Sequence, residues 1–347
     1  MKLKIFQKYL NREEIDLAFL ISPDSNITYF TQMKPSKAIL TISPNDAYFY
    51  LSELDLKPKL KNIEIVNLNK DWEKEIADKK NMKIGINKEN IPLSYYEKLK
   101  KAFPKAIFID ISLVLLKLRS QKIPEEINKI SHACQITTNS FNDLVANFSL
   151  KKIRTEQDVA FFLEKNIREQ GADLSFPTIV ASGKNAAIPH HQTSSEKLRK
   201  GFLLLDFGAR YQNYCSDMSR VLYLDTISEE EKQLYYKLSE IQTKTIRHIA
   251  SGSHFFSLEE NVRKNLGNLS SFFIHKLGHG LGIDIHEFPS FSRENKQKVI
   301  KNQVFTIEPG IYFPQKYGLR IEDTIIFNNK ARILTRASKE LLKVRLS

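Results

Sequence analysis

Two apolar runs flank a short polar turn in LLLDFGARYQNYCSDMSR, residues 203 to 220, and each run carries an aspartate. The alternation and the turn from Arg210 to Asn213 predict a β-hairpin centred between Tyr211 and Gln212, which sets Asp206 directly opposite Asp217. Opposed residues on a sheet hold their Cβ atoms about 4.5–5.5 Å apart on one face, where two like charges repel. A cation between them turns that repulsion into chelation. Aspartate is also common in turns, so the hairpin alone leaves metal binding and a plain turn equally open.

Three further segments carry residues of the same chemical kind. HKLGHGLGIDIHEFP sets histidines at 275, 279 and 286, with Gly278, Gly280 and Gly282 interleaved so that backbone can approach a site closely. VFTIEPGIY is a β-branched run that leads to Glu308 and is stopped by Pro309 and Gly310. GLRIEDTIIF alternates, so Arg320, Glu322 and Thr324 share a strand face. A lone histidine or a lone strand glutamate would be an ordinary core or solvated residue. Asp206, Asp217, Glu308 and Glu322 gathered with His279 are different, because four carboxylates in one cleft cannot all stay ionised without cations. Two divalent ions neutralise them. The chain contains no HExxH, GxSxG, GxxxxGKS or CxxC, so zincin, serine hydrolase, P-loop and zinc-ribbon chemistry lack a motif.

These residues resemble the pita-bread metallopeptidases, the family of aminopeptidase P, prolidase, methionine aminopeptidase and the metal-free relative creatinase. PTIVASGKNAAIPHH, residues 177 to 191, is similar to the stretch that precedes the first aspartate there, and IDLAFLISPDSNITYFTQ resembles the start of the N-terminal domain in the aminopeptidase P, prolidase and creatinase branch. The resemblance implies an α/β (α+β) chain with a smaller creatinase-like domain at 1–120 and a pita-bread catalytic domain at 121–347. It implies amide hydrolysis with two ions about 3.5–4 Å apart that activate a water and polarise the scissile carbonyl. Asp206 would chelate one ion, Asp217 and Glu322 would bridge both, and His279 with Glu308 would complete the other. Glu308 would also carry the proton from water to the leaving nitrogen. His286 and His190 would hold the substrate and stabilise the oxyanion, with His275 and Tyr312 as further contacts and Arg320 orienting the carboxylates.

A site of oxygen ligands and one imidazole suits Mn²⁺, Co²⁺ or Zn²⁺ without singling one out, and Mn²⁺ is the first expectation. By resemblance the substrates are short proline-containing peptides and the enzyme is a homodimer whose small domain helps close the partner's cleft. Ser290 stands where prolidases can carry a carboxylate-binding arginine, with Arg293 nearby and out of register, so dipeptides and longer Xaa-Pro peptides stay equally open. Asn213 stands where the hairpin turn often has glycine, and asparagine tolerates that left-handed position. The alternatives are a creatinase-like amidinohydrolase that works without metal and a non-catalytic basic binding scaffold.

The scaffold alternative rests on the net charge of +13. The lysines at 57, 59, 61, 79, 80, 83, 98, 100 and 101 are dispersed rather than interleaved with aromatics, which predicts a solvated basic surface and no nucleic-acid partner. Only Cys134 and Cys215 are present, and apolar runs such as ISLVLL are too short to cross a bilayer. The expectation is a reduced, cytoplasmic chain with no membrane partner and no signal peptide. A chain of 347 residues predicts two cores. Strand-like runs LAFLI, AILTI, AYFYL, IEIVNL, KIGI and AIFID occupy the first, and the boundary falls near 119 to 123. Helices are predicted from Pro124, through TEQDVAFFLEKNIREQG to Gly171, and from SEEEKQLYYKL to near Gly252.

Overall fold

The computed structural model describes residues 1–69, 72–73, 82–149, 153–291 and 295–345; Lys79, Lys80 and Arg293 lie outside them. The chain divides into two compact units, Met1–Arg119 and Ser120–Ser347.

In the first unit the predicted apolar runs form six strands: β1 (Leu17–Ile21), β2 (Ala38–Ile42), β3 (Ala47–Leu51), β4 (Glu64–Asn67), β5 (Lys83–Ile86) and β6 (Ile107–Asp110). They pair in the order β4-β3-β2-β1-β5-β6. The central strands β1 and β2 are buried at every position because both sheet faces are covered. Ala18 and Leu20 of β1 point into one core with Phe6 and Leu10 of α1 (Lys2–Arg12). Leu17, Phe19 and Ile21 point into the other, with Trp72 and with Leu99 of a second-face helix, Leu93–Ala102. A two-residue period therefore serves two cores at once.

In the second unit, four strands pair in the order β20-β12-β9-β8, from Leu342–Val344, Met218–Leu224, Gly201–Phe207 and Ile179–Ser182. Five more pair as β14-β13-β15-β18-β19, from Glu287–Ser290, His279–Gly280, Gln303–Ile307, Asp323–Asn328 and Lys330–Ile333. A hairpin joins β16 (Gly310–Phe313) to β17 (Tyr317–Arg320). A small sheet holds β7 (Asp173–Leu174), β10 (Ala209–Tyr211) and β11 (Tyr214–Cys215).

Helices form where capping residues start them. Pro124 opens the helix Pro124–Asn147, with Glu126 accepting from the Ile123 N–H at 2.8 Å. Thr155 and Asp158 form a capping box for Glu156–Glu169, and Ser228 and Glu231 one for Glu229–His248. The helix Phe255–Leu266 was not marked by the sequence patterns considered above. Its Phe255, Leu258, Val262 and Leu266 enter one core with Phe202, Leu204, Val221 and Tyr223. The intervening Leu203 and Leu205 enter a second core with Leu144 and Leu163.

The hairpin register differs from the expected one. Asp206 pairs with Ser219, not with Asp217, and Tyr211 pairs with Tyr214, so the turn is centred between Gln212 and Asn213. Both turn residues take positive φ, 46° and 73°, as a two-residue primed turn requires. Asparagine thus occupies the left-handed position it was expected to tolerate. Both arms also break, at Gly208 and at Ser216–Asp217, and a Cβ on Gly208 would lie 2.0 Å from the Ser216 carbonyl oxygen. The shift is two residues, which leaves facing unchanged because the side-chain period is two. Asp206, Asp217 and Ser219 therefore still share a face.

Candidate metal centre

The face that carries Phe202, Leu204 and Val221 into the core continues past its apolar part to Asp206, Asp217 and Ser219. Thr324 anchors the strand break at Asp217: its Oγ1 donates to the Asp217 carbonyl at 2.8 Å and accepts from the Asp217 N–H at 3.2 Å. The run GLRIEDTIIF is not one strand. Arg320 ends β17 and Asp323 begins β18 in another sheet, and Glu322 lies on the link between them. Even so, Arg320, Glu322 and Thr324 all reach toward Ser219 or Asp217, because the link crosses the sheet end there.

Asp217, His279 and Glu322 each offer a ligand atom within 4.8 Å of the others. The Nε2 of His279 lies 3.5 Å from Asp217 Oδ2 and 3.4 Å from Glu308 Oε1. Its Nδ1 lies 3.1 Å from the Gly280 carbonyl. A carbonyl only accepts, so Nδ1 carries a hydrogen; in the neutral ring that a metal ligand must be, Nε2 then holds the lone pair on the side of the carboxylates. Thr306 locks this arrangement, its Oγ1 accepting from the His279 N–H at 3.1 Å and donating to Glu308 Oε1 at 3.0 Å. Gly278 is required alongside it, since a Cβ there would sit 2.2 Å from the Thr306 carbonyl oxygen.

Electrostatically the cluster is under-neutralised by protein groups. Arg320 donates to Asp206 Oδ2 at 2.5 Å, to Ser219 Oγ at 2.8 Å and to the Tyr312 hydroxyl at 2.8 Å. Ser219 has one hydroxyl hydrogen for two carboxylates, Glu322 Oε2 at 2.7 Å and Asp206 Oδ1 at 3.2 Å. Among the described residues, Asp217 Oδ1 and Glu322 Oε1 are buried with no partner at all. Burial first, and then the neighbouring carboxylates, push Asp217 and Glu322 well above the ordinary carboxylate range. Two orphaned buried oxygens beside an imidazole lone pair fit a divalent cation.

Around the acids the cleft is about 1310 Å³, lined by His190, His275, His286, Arg263, Lys276 and Ser290 among others. The His286 ring centroid lies 4.4 Å from that of His279. His275 Nδ1 lies 2.8 Å from the Lys276 carbonyl, so its Nε2, 3.0 Å from the Tyr312 hydroxyl, is the acceptor of that contact. Burial lowers the His275 pKa and raises that of Tyr312 to about 12. Tyr312 is buried behind Arg320. All five candidate ligands and His190, His275, His286 and Arg320 thus meet in one cleft.

Sequence reasoning set Thr324 on the face of Arg320 and Glu322 without giving it a role, and it missed Ser219 and Thr306. The available signal was register: Ser219 lies two residues beyond Asp217 and Thr306 two before Glu308, each on the same side of its segment. It also missed a buried ion pair, Lys122 Nζ to Glu287 Oε2 at 3.1 Å, behind the loop that carries His286. No local pattern announces that contact across the chain.

The model of metallopeptidase family M24 matches residues 128–329, and the creatinase/prolidase N-terminal domain model matches residues 2–121. The Xaa-Pro dipeptidase of Pyrococcus horikoshii is 31% identical over 350 residues, covering 98% of each chain. Among solved structures, an Xaa-Pro dipeptidase from Bacillus anthracis superposes with a TM-score of 0.91 at 29% identity, over 99% of each chain. An X-Pro aminopeptidase from Thermotoga maritima superposes with a TM-score of 0.87 at 29% identity, over 97% of this chain and 100% of that one.

Proposed function

Because this chain belongs to metallopeptidase family M24, with the creatinase/prolidase domain ahead of the catalytic one, we propose that it hydrolyses the N-terminal Xaa-Pro bond of short peptides and dipeptides. Two divalent ions, Mn²⁺ first, would be held by Asp206, Asp217, His279, Glu308 and Glu322. The observation that carries this reading is the pair of orphaned oxygens, Asp217 Oδ1 and Glu322 Oε1, beside the cluster that includes His279 Nε2. When bound, the ions supply an acidified water and a polarised carbonyl. The creatinase-like alternative leaves those buried oxygens without compensation, and the basic-scaffold alternative gives no reason for gathering them.

Glu308 would take a proton from the attacking water and deliver it to the leaving nitrogen. That delivery matters most for proline, whose nitrogen leaves from a tertiary amide. Thr306 holds Glu308 Oε1 and leaves its other oxygen for that transfer. His286 and His190 would donate to the carbonyl oxygen as charge develops there. Arg320 holds Asp206 in place, and Tyr312 and His275 brace the guanidinium from behind.

Ser290 pairs with His279 across β13 and β14. A small neutral residue there supplies no fixed anchor for a free carboxylate, so peptides longer than two residues are included as substrates. We further propose domain limits of 1–120 and 121–347 and a cytoplasmic homodimer. Both cysteines are free and buried, and no helix among the described residues is long and apolar enough to cross a membrane.

The test is a panel of Gly-Pro, Ala-Pro and longer Xaa-Pro peptides, assayed after chelation and after Mn²⁺ is restored. Release of the N-terminal residue that disappears on chelation and returns with Mn²⁺ is expected. Release that survives chelation, or turnover of creatine, would overturn the assignment.

A further inference from the structure

One cleft residue outside the acid cluster combines an open ring nitrogen with a buried charged partner. His191 lines the same cleft as His190, and its Nε2 lies 2.8 Å from Oε2 of Glu156, whose side chain is wholly buried. Glu156 opens the helix Glu156–Glu169 and gathers donors from three other places in the chain. Its Oε1 accepts from the Ser182 N–H and the Asn185 amide, both at 2.9 Å, and its Oε2 accepts from the Ser194 hydroxyl at 3.0 Å. Burial alone would raise its pKa, but the bonds from Asn185, His191 and Ser182 outweigh that and hold it below the usual glutamate value.

A carboxylate in that state only accepts, so the hydrogen of the His191–Glu156 contact belongs to Nε2. The tautomer follows: Nδ1 of the neutral ring is a lone-pair acceptor. Among the described residues it has no hydrogen-bond partner. The ring cannot flip to exchange its nitrogens without leaving the Glu156 charge short of a donor, so the acceptor is oriented as well as open.

The chemistry of an Xaa-Pro peptide limits what can donate to it. The proline nitrogen has no hydrogen. The α-ammonium belongs to the residue before the scissile bond, on the opposite side of the proline from the rest of the peptide. The next N–H along the peptide belongs to the residue after proline, a neutral donor suited to a neutral imidazole. A cleft of about 1310 Å³ exceeds the roughly 300–1,000 Å³ of ordinary small-molecule pockets and has room for that third residue.

We propose that His191 is a specificity-determining contact: its Nδ1 accepts a hydrogen bond from the backbone N–H of the residue following proline, and so favours peptides of three or more residues. The proposal rests on the Xaa-Pro reading of the site. Glu156 is the positioning residue that fixes the ring.

The test replaces that single N–H in the substrate. Ala-Pro-Gly is compared with the depsipeptide in which an ester oxygen takes the place of the glycine nitrogen, using the full Mn²⁺-loaded chain and its His191→Leu variant, with alanine release as the readout. For the wild type, KM for the depsipeptide is expected to be about five- to tenfold higher, the size of one neutral hydrogen bond. In His191→Leu that ratio should fall to about one. Equal KM values for the two substrates in the wild type overturn the proposal without any variant, and so does a ratio that His191→Leu leaves unchanged at an unaltered melting temperature and Mn²⁺ content. Failure of the Mn²⁺-loaded wild type to cleave either Ala-Pro or Ala-Pro-Gly instead overturns the Xaa-Pro reading beneath it.

Discussion

The hydroxyl of Ser219 lies 2.7 Å from Oε2 of Glu322, joining residues 103 positions apart in the chain. The same Oγ accepts from Arg320 Nε at 2.8 Å. One small side chain therefore aligns a carboxylate that the proposed site needs and the guanidinium that holds Asp206. It takes no part in the chemistry itself. Its replacement tests the support of the site rather than its ligands.

In Ser219→Ala the carboxylate of Glu322 loses its donor and Arg320 loses an acceptor. Loss of such a supporting bond typically weakens metal affinity about 10–100-fold. Titration of the chelated variant with Mn²⁺ should show that weakening while the melting temperature of the chelated protein changes little. Wild-type affinity would mean that Glu322 is held by something other than Ser219.

Glu308→Gln removes the proton carrier and one ligand charge while keeping nearly the same shape. The hydrogen bond from Thr306 can persist to the amide oxygen, so the fold should be intact by circular dichroism. Turnover of Ala-Pro should fall by at least about 10², the usual contribution of general acid–base catalysis. Undiminished turnover would require another base in the cleft.

His286 sits against His279 without belonging to the proposed ligand set. His286→Ala should lower turnover by about 10²–10³, as loss of one oxyanion donor does. Elemental analysis of the dialysed variant should still find two ions per chain. Loss of an ion would exchange the roles assigned to His279 and His286.

The raised pKa values of Asp217 and Glu322 have a definite sign for stability. In the chelated folded chain these groups keep protons that the unfolded chain releases at about pH 4. Between that point and the raised folded values the unfolded state binds fewer protons, so stability contributed by these groups falls as pH rises. Bound cations offset the buried charge. The rise in melting temperature on adding saturating Mn²⁺ should therefore grow from about pH 5 to about pH 8. A rise that stays flat or shrinks would mean that the two carboxylates are not buried together.

Much of the architecture was legible because it is written in short-range pattern. The runs LAFLI, AILTI and AYFYL became strands, Pro124 and the Thr155 and Ser228 caps opened helices, and Asn213 took its left-handed turn. The five candidate ligands were legible from residue type and setting, since parity along a strand fixes which face each carboxylate shares. Even the wrong partner for Asp206 did no harm to that inference, because the error was a whole side-chain period.

What the amino-acid order alone determined, then, was which segments are strands or helices, which face each acid shares, and that the acids together need cations. The tertiary structure decided everything that depends on distance between remote residues: the opposition of Asp206 to Ser219, the break that carries Glu322 between two sheets, the tautomer of His279, and the burial of Glu156 beneath His191. The reason is physical. Dihedral preference and side-chain period act over a few residues and can be read locally, whereas hydrogen bonds and desolvation act between groups brought together only when the chain closes on itself.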